Sequence, residues 1–317
     1  MFDNPKPNEI YICRVYDAPI AVVWDAWTDT EKVAQWWGPR GFTLTTHSKE
    51  LRPGGFWNYT MHGPDGTDYP NRTVYHEVTP RRKLVYDHGA TADRAPLFRV
   101  TVLFSENDGK TTMEMTMALA TAEQAAATRK FVKEAGGNAT WDRLAEFLEK
   151  QNSSRDLFVI NRSFEASKEV VFSMWTDPGH FVKWLPPAGF EMEILEGEIV
   201  PGSSIFFRTS NNKDVTMYAK MSYQAIQSPD FLVYEQAFCN EHGEPGHHPS
   251  LPIWPSTILT TIRFFDEGPH GSRVNVNWEP CGKFTAAEVK AFLNLRSSMT
   301  QGWNGSFDKL EAILPVG

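Results

Sequence analysis

Hydrophobic and polar residues alternate along most of this chain, and stretches of helical spacing interrupt the alternation. Ile10–Tyr16 reads as a strand. Ile20, Val23, Trp24 and Trp27 then recur at i, i+3, i+4 and i+7, one face of a short helix. Pro19 suits its first turn, where no N–H is needed. Thr28-Asp29 caps a second short helix whose apolar face is Val33, Trp36 and Trp37. Strands are expected next near Phe42–Leu51, Phe56–His62, Thr73–Val78, Lys83–His88, Leu97–Phe104 and Thr111–Leu119. Within them Trp57/Tyr59/Met61 alternate with Asn58/Thr60, and Met113/Met115/Met117 with Thr112/Glu114/Thr116. That is the pattern of an antiparallel sheet covered on one face. Arg52-Pro53-Gly54-Gly55, Pro64-Asp65-Gly66 and Asn107-Asp108-Gly109 mark turns. A helical segment, Ala122–Lys150, closes the series; Gly136-Gly137 interrupts it, and Trp141, Leu144 and Leu148 stripe one side.

The same series then begins again. Between residues 14–42 and 162–190, eleven of 29 positions are identical at a constant separation of 148, among them Trp27/Trp175, Asp29/Asp177 and Trp36/Trp184. Pro53-Gly54 and Pro201-Gly202 keep that separation. A solenoid repeats every ~20–50 residues, so a period of 148 is a whole domain used twice. The expected second set is a strand at Leu157–Phe164, two short helices, and strands near Ile205–Thr209, Thr216–Ala225, Phe231–Phe238, Thr257–Phe265 and Ser272–Trp278. A helical segment follows at Ala286–Leu314. Trp141-Asp142-x-Leu144 matches Phe307-Asp308-x-Leu310 at a separation of 166, which implies a net insertion of 18 residues. The loop Cys239–Pro255, rich in Gly, Pro and His, is where it is expected. The boundary is placed in the polar stretch Glu149–Asp156, giving domains 1–150 and 151–317.

Composition narrows the picture. With 41% hydrophobic and 22% charged residues, the chain has globular values. A net charge of −8 argues against a nucleic-acid partner, whose phosphates demand Lys and Arg. Cys13, Cys239 and Cys281 are too few and too scattered for a disulfide framework or a CxxC site. No apolar run is long enough to cross a membrane as a helix, and the first residues form no signal region. The expectation is a cytoplasmic protein without membrane insertion. Its 11 Trp and 21 Phe need either a large core or a lined cavity.

A strand, two short helices, antiparallel strands and a long C-terminal helix describe an α+β helix-grip: a curved sheet wrapped around one helix. Asp17-Ala18-Pro19, Asp25-Ala26-Trp27-Thr28-Asp29, Gln35-Trp36-Trp37-Gly38-Pro39 and Arg52-Pro53-Gly54-Gly55 carry a family resemblance. Pro64-Asp65-Gly66, Trp254-Pro255, Trp278-Glu279-Pro280 and Met299-Thr300-Gln301-Gly302-Trp303 extend it. The chain resembles the Activator of Hsp90 ATPase homologue-like branch of the START/Bet v 1-like (SRPBCC) superfamily, in two tandem copies. The resemblance implies two helix-grip domains and no cofactor or metal. It leaves function open, since that superfamily contains lipid carriers, cyclases, hydrolase-like proteins and co-chaperones. Gly137-Asn138 departs from the family's Gly-Trp, which Gly302-Trp303 keeps, and Leu185-Pro186 replaces Trp37-Gly38. A cavity is expected in at least one domain, and if both hold one, the two are expected to differ in shape.

Candidate ligand contacts follow from the strand faces. In the first half they are Trp37, Trp57, Tyr59, Met61, Tyr86, His88 and Met115; in the second, Phe207, Tyr234, Gln236 and Trp278. Methionine and aromatic faces suit a greasy small molecule, although the same residues also build ordinary cores. The polar tips of Tyr59, Tyr86 and His88 favour a pocket, since buried polar groups need partners. Glu235 would have to act as a base from the opposite strand face to Tyr234 and Gln236. His242, His247 and His248 sit among Gly and Pro without helical presentation, so their loop reads as a lid over the second cavity rather than a zinc site. No GxSxG, P-loop or HExxH is present.

Three functions remain in order of preference. The first is binding of a hydrophobic or aromatic small molecule between sheet and C-terminal helix. The second is a cyclase, isomerase or hydrolase using acid–base residues such as His88, Tyr59 or Tyr86. The third, implied by the resemblance alone, is an Hsp90 co-chaperone-like interaction. Duplicated domains commonly pack as an intramolecular pseudo-dimer, which is a further expectation.

Overall fold

The computed structural model describes residues 5–89, 95–134, 139–153, 156–211, 215–268 and 271–315. The chain divides into two compact units, Met1–Asn152 and Ser153–Gly317. The first holds β1 (Glu9–Tyr16), α1 (Ile20–Thr28), α2 (Thr30–Val33), β2 (Thr43–Lys49), β3 (Phe56–His62), β4 (Asp68–Thr79), β5 (Lys83–His88), β6 (Phe98–Asn107), β7 (Lys110–Ala118), α3 (Ala122–Glu134) and α4 (Ala139–Asn152). The second repeats the order with β8 (Phe158–Phe164), α5 (Lys168–Thr176), α6 (Pro178–Trp184), β9 (Phe190–Gly197), β10 (Ser204–Asn211), β11 (Thr216–Gln227), β12 (Phe231–Cys239), β13 (Thr257–Asp266), β14 (Ser272–Pro280), α7 (Ala286–Asn294) and α8 (Arg296–Ile313).

Each unit is an α+β helix-grip domain built on a seven-stranded antiparallel sheet. The strand orders are β1-β7-β6-β5-β4-β3-β2 and β8-β14-β13-β12-β11-β10-β9. The same residues do the same work at a separation of 148. Asp29 caps α2 by accepting from the backbone N–H groups of Glu31 and Lys32, and Asp177 caps α6 by accepting from that of His180. Such caps satisfy N–H groups that the helix itself leaves unpaired. The indole N–H of Trp36 donates to the Ala26 carbonyl at 3.0 Å, and that of Trp184 to the Met174 carbonyl at 2.8 Å. Both tryptophans are fully buried, and each ties its second short helix to its first. Gly54 and Gly202 take φ of +76° and +78°, where a side chain would be strained, and donate to the Tyr75 and Tyr223 carbonyls.

Two features differ from expectation. Strand β9 is absent from the expected set: Phe190–Gly197 alternates, but its Glu191, Glu193 and Glu196 belong to an exposed edge strand. Charged edges of this kind hide a strand from a hydrophobicity pattern and discourage edge-to-edge pairing. The C-terminal helical segment of the second unit also breaks at Leu295, between α7 and α8. In the first unit, the break expected at Gly136-Gly137 and the Gly137-Asn138 departure lie outside the described residues.

The long helices reset the alignment of the two halves. Trp141 stacks on Trp27 with centroids 5.7 Å apart, and Trp303 stacks on Trp175 at 5.8 Å. Trp141 and Trp303 are therefore equivalent, at a separation of 162 rather than 166, and the net insertion is 14 residues rather than 18. The discrepancy is four residues, about one helical turn. Phe98 pairs with His88 and Ile258 with Gln236, a separation of 160, so 12 of the 14 added residues fall between β12 and β13. That is the Gly/Pro/His-rich loop.

Candidate functional site

A cavity of about 530 Å³ opens inside the second domain. Its floor is the inner sheet face: Phe207 on β10, Met217 and Met221 on β11, Tyr234, Gln236 and Phe238 on β12, Ile258 on β13 and Trp278 on β14. Period-2 alternation puts these side chains on one side. Met299, Gly302, Trp303 and Ser306 of α8 form the roof. Leu185, Pro186 and Pro187, just past α6, close one side of the mouth, and residues 248–255 of the inserted loop close the other.

Comparison of equivalent positions explains why space is left here. In the first domain Trp37 fills the same region, with ring centroids 5.4 Å from Trp57, 6.4 Å from Tyr59 and 6.1 Å from Trp141. The second domain has Leu185, Ile205 and Phe207 at the positions of Trp37, Trp57 and Tyr59. On the helix, Gly302 and Ser306 replace Thr140 and Leu144. A Cβ added at Gly302 would meet nothing within 4 Å. The volume is the sum of these truncations on three elements, while the tryptophan stack beneath them is kept.

The mouth is held in place by hydrogen bonds from α8. Ser306 donates its hydroxyl to the Leu185 carbonyl and Lys309 its ammonium to the Pro186 carbonyl, both at 2.7 Å. The inserted loop is also pinned. Asn240 accepts from the backbone N–H groups of His242 and Glu244, Gly246 donates to the Phe238 carbonyl, and Cys239 bridges Pro245. Farther on, Trp254 packs against the fully buried Phe292 of α7 at 5.6 Å. His248 sits edge-on to Phe238 at 4.7 Å, and its Nδ1 accepts the Ser250 N–H at 3.1 Å. With Nδ1 accepting, the neutral ring carries its proton on Nε2.

No Asp, Glu, Lys or Arg lines the cavity among the described residues. Its titratable groups are Tyr234 and His248. Burial pushes the Tyr234 phenol well above its ordinary range, so it remains a protonated donor. Burial pushes His248 down, which keeps the imidazole neutral. Glu235 turns to the other sheet face, where Gln224 donates to it at 2.7 Å. Among the described residues no group of His, Cys, Asp and Glu is arranged to hold a metal ion.

The sequence-derived candidates divide between the two domains. Phe207, Tyr234, Gln236 and Trp278 share the cavity floor. Trp57, Tyr59, Tyr86 and Met115 are buried in the first domain's core, with Trp37 and Met61 packed against it. His88 stacks on Phe98 at 4.9 Å. The lining residues Trp254, Met299, Gly302 and Trp303 were not among the candidates, although they stand in the motifs Trp254-Pro255 and Met299–Trp303.

Comparisons with known proteins fit this architecture. The family described as Activator of Hsp90 ATPase homolog 1-like protein matches residues 17–149 and again 165–315. No curated protein matches the chain. Among solved structures, a protein from Nitrosomonas europaea is 20% identical, with a TM-score of 0.44 over 48% of this chain and 100% of its own. One from Staphylococcus epidermidis is 26% identical, with a TM-score of 0.42 over 49% of this chain and 98% of its own. The di-domain ARO/CYC protein BexL from the BE-7585A biosynthetic pathway is 12% identical, with a TM-score of 0.39 over 98% of this chain and 99% of its own. Among the described residues no helix is long and apolar enough to cross a membrane.

Proposed function

This chain belongs to the Activator of Hsp90 ATPase homolog 1-like family, and we propose that its second domain binds a hydrophobic or aromatic small molecule between sheet and C-terminal helix. The observation that carries the reading is a 530 Å³ cavity with no charged side chain in its described lining. Small-molecule sites typically occupy ~300–1,000 Å³ and combine apolar walls with a few polar groups. Trp254, Trp278, Trp303 and Phe207 supply ring surface, and Met221 and Met299 supply soft contacts that adapt to shape. Burying apolar area here is favourable by ~25 cal/mol per Å².

Binding ranks above acid–base catalysis for a geometric reason. A base must be free to take a proton within hydrogen-bond reach. The Nδ1 of His248 already accepts from Ser250, and Tyr234 is held protonated.

The test is a fluorescence titration of the full chain with Nile red, an uncharged dye that brightens in apolar surroundings. The wild-type chain is expected to enhance emission saturably, and Gly302→Leu, which fills open space in the roof, to weaken binding by about tenfold or more. Equal binding by both proteins, or none by the wild type, would remove the cavity as the binding site.

A further inference from the structure

A line of polar side chains runs across the inner sheet face at the cavity floor, and the first domain keeps only its tyrosine; Tyr234 and Trp278 line the cavity, while Thr260 lies fully buried between them, outside the lining. Tyr234 on β12 pairs in register with Thr260 on β13, and Thr260 with Trp278 on β14. The three residues lie side by side across adjacent strands, which sit ~4.8 Å apart. The equivalent line in the first domain is Tyr86, Val100 and Met117, again in direct register. Only the tyrosine is common to both. Where the first domain has two apolar side chains, the second has a hydroxyl and an indole N–H.

These atoms are poorly satisfied by the protein. Thr260 is fully buried, and its Oγ1 finds no hydrogen-bond partner among the described residues. The same is true of the indole N–H groups of Trp278 and Trp303, whose rings meet edge to face at 5.6 Å. The Tyr234 hydroxyl lies beside the Thr260 side chain. Beside Tyr234 on the same strand face stands Gln236, which also lines the cavity. A buried polar group without a partner costs about 1–3 kcal/mol. Two unpaired indole N–H groups in the lining of a largely apolar cavity call for a counterpart that is also polar.

The inventory of atoms defines that counterpart. The two indole N–H groups can only donate, and the Tyr234 O–H and Gln236 amide can donate as well, so an acceptor is the one partner that suits all four. A carboxylate or phosphate would enter without a cation to compensate it, because no Lys or Arg lines the cavity among the described residues. Arg296, at the start of α8, donates to the Leu157 carbonyl instead. An isolated buried charge is far more costly than an uncharged acceptor.

We infer that the ligand of the second domain is uncharged and carries a carbonyl-type acceptor oxygen, which it presents to the donors of the lining, Tyr234, Gln236, Trp278 and Trp303. This rests on the reading that the cavity binds a small molecule, and it adds the ligand's charge state and the end by which it is held. Fatty acids and other anionic amphiphiles are thereby disfavoured relative to neutral aryl or alkyl ketones of the same size.

One skeleton with three substituents tests it. Fluorene, 9-fluorenone and 9-fluorenone-4-carboxylate are titrated into the full chain by calorimetry. The ketone is expected to bind about tenfold more tightly than the hydrocarbon, the gain from about one net hydrogen bond. The carboxylate is expected to bind more weakly than the ketone. In Trp278→Phe and Tyr234→Phe the preference for ketone over hydrocarbon shrinks towards unity, while in Tyr234→Phe fluorene affinity stays within about twofold. Thr260→Val installs the residue the first domain already carries at this place, and it is expected to raise the thermal midpoint of the free protein. Because Thr260 lies outside the lining, this variant is expected to keep the ketone preference, which separates loss of a ligand contact from a change in the fold. A ketone that binds no better than fluorene, or a carboxylate that equals the ketone, overturns the inference and leaves the binding reading intact. Failure of all three probes overturns both.

Discussion

At the scale of single residues, the two domains differ in side chains that fill a region in one and border a cavity in the other. Trp37 touches five aromatic rings in the first domain; Leu185 stands in its place beside the cavity. Trp37→Leu is expected to destabilise the first domain by about 2–4 kcal/mol, the range for large-to-small core changes, and to open a second Nile red site. Chemical denaturation with dye titration measures both, and a destabilised variant that binds no additional dye would mean the domain collapses into the gap. Gly302→Leu runs in the opposite direction. Replacing a helix-interior glycine by leucine gains about 0.5–1 kcal/mol of helix propensity, and the new side chain enters open space. Stability should therefore rise while dye binding falls; a fall in both would show that the roof has no room. The sequence makes Tyr234, Gln236, Phe207 and Trp278 legible because alternation alone puts them on one face. It does not disclose Gly302, since emptiness at a helical glycine depends on what stands opposite. Nor does it tell a core tyrosine such as Tyr59 from a lining one such as Tyr234: both alternate identically and both are about 1% exposed.

At the scale of elements, the inserted loop contributes one wall of the cavity through His248, Ser250, Leu251, Trp254 and Pro255. Its position was readable from Gly, Pro and His between two strands. Its length was overestimated because Asp142-x-Leu144 and Asp308-x-Leu310 offer a match one helical turn out of register. Helices repeat every ~3.6 residues, so a short motif cannot choose between registers four apart; the stacking of Trp141 and Trp303 can. The loop is also expected to respond to pH. The ring of His248 lies half-buried against Phe238, and burial depresses its pKa from the ordinary 6.5. The open or unfolded state then takes up a proton before the closed state does. The stability due to this contact is whole above about pH 6.5 and declines as pH falls towards the depressed value. Protonation would also remove the Nδ1 acceptor used by the Ser250 N–H. Amide exchange protection across residues 248–255, corrected for intrinsic rates, should drop between pH 7.5 and 5.5. His248→Asn, which retains an acceptor but no titration, should show no such drop. Persistence of the decline in that variant would assign it to another group.

At the scale of the whole molecule, the binding reading divides between the two copies two demands that a single domain must reconcile. A filled core favours stability because close packing maximises dispersion contacts and leaves few buried polar atoms unpaired. A ligand site requires the reverse: unfilled volume and donors awaiting a partner. In the first domain, Trp37, Val100, Met117 and Leu144 stand where the second has Leu185, Thr260, Trp278 and Ser306. The fold was legible from the 148-residue period because both copies keep the residues that build it: Trp27 and Trp175, Trp36 and Trp184, Asp29 and Asp177. The allocation of roles was not, because it depends on facing pairs drawn from β10, β12, α6 and α8 at once. The binding reading consequently predicts an asymmetric response. Hydrogen exchange of the full chain with saturating 9-fluorenone should slow at residues 185–187, 248–255 and 298–306, the mouth, lid and roof of the cavity. Residues 17–149 should exchange as they do without ligand. Native mass spectrometry under the same conditions should show one bound molecule per chain. Two molecules, with slowed exchange in both halves, would mean that the first domain also opens to admit a ligand and that the ring cluster around Trp37 is a closed gate rather than a permanent filling.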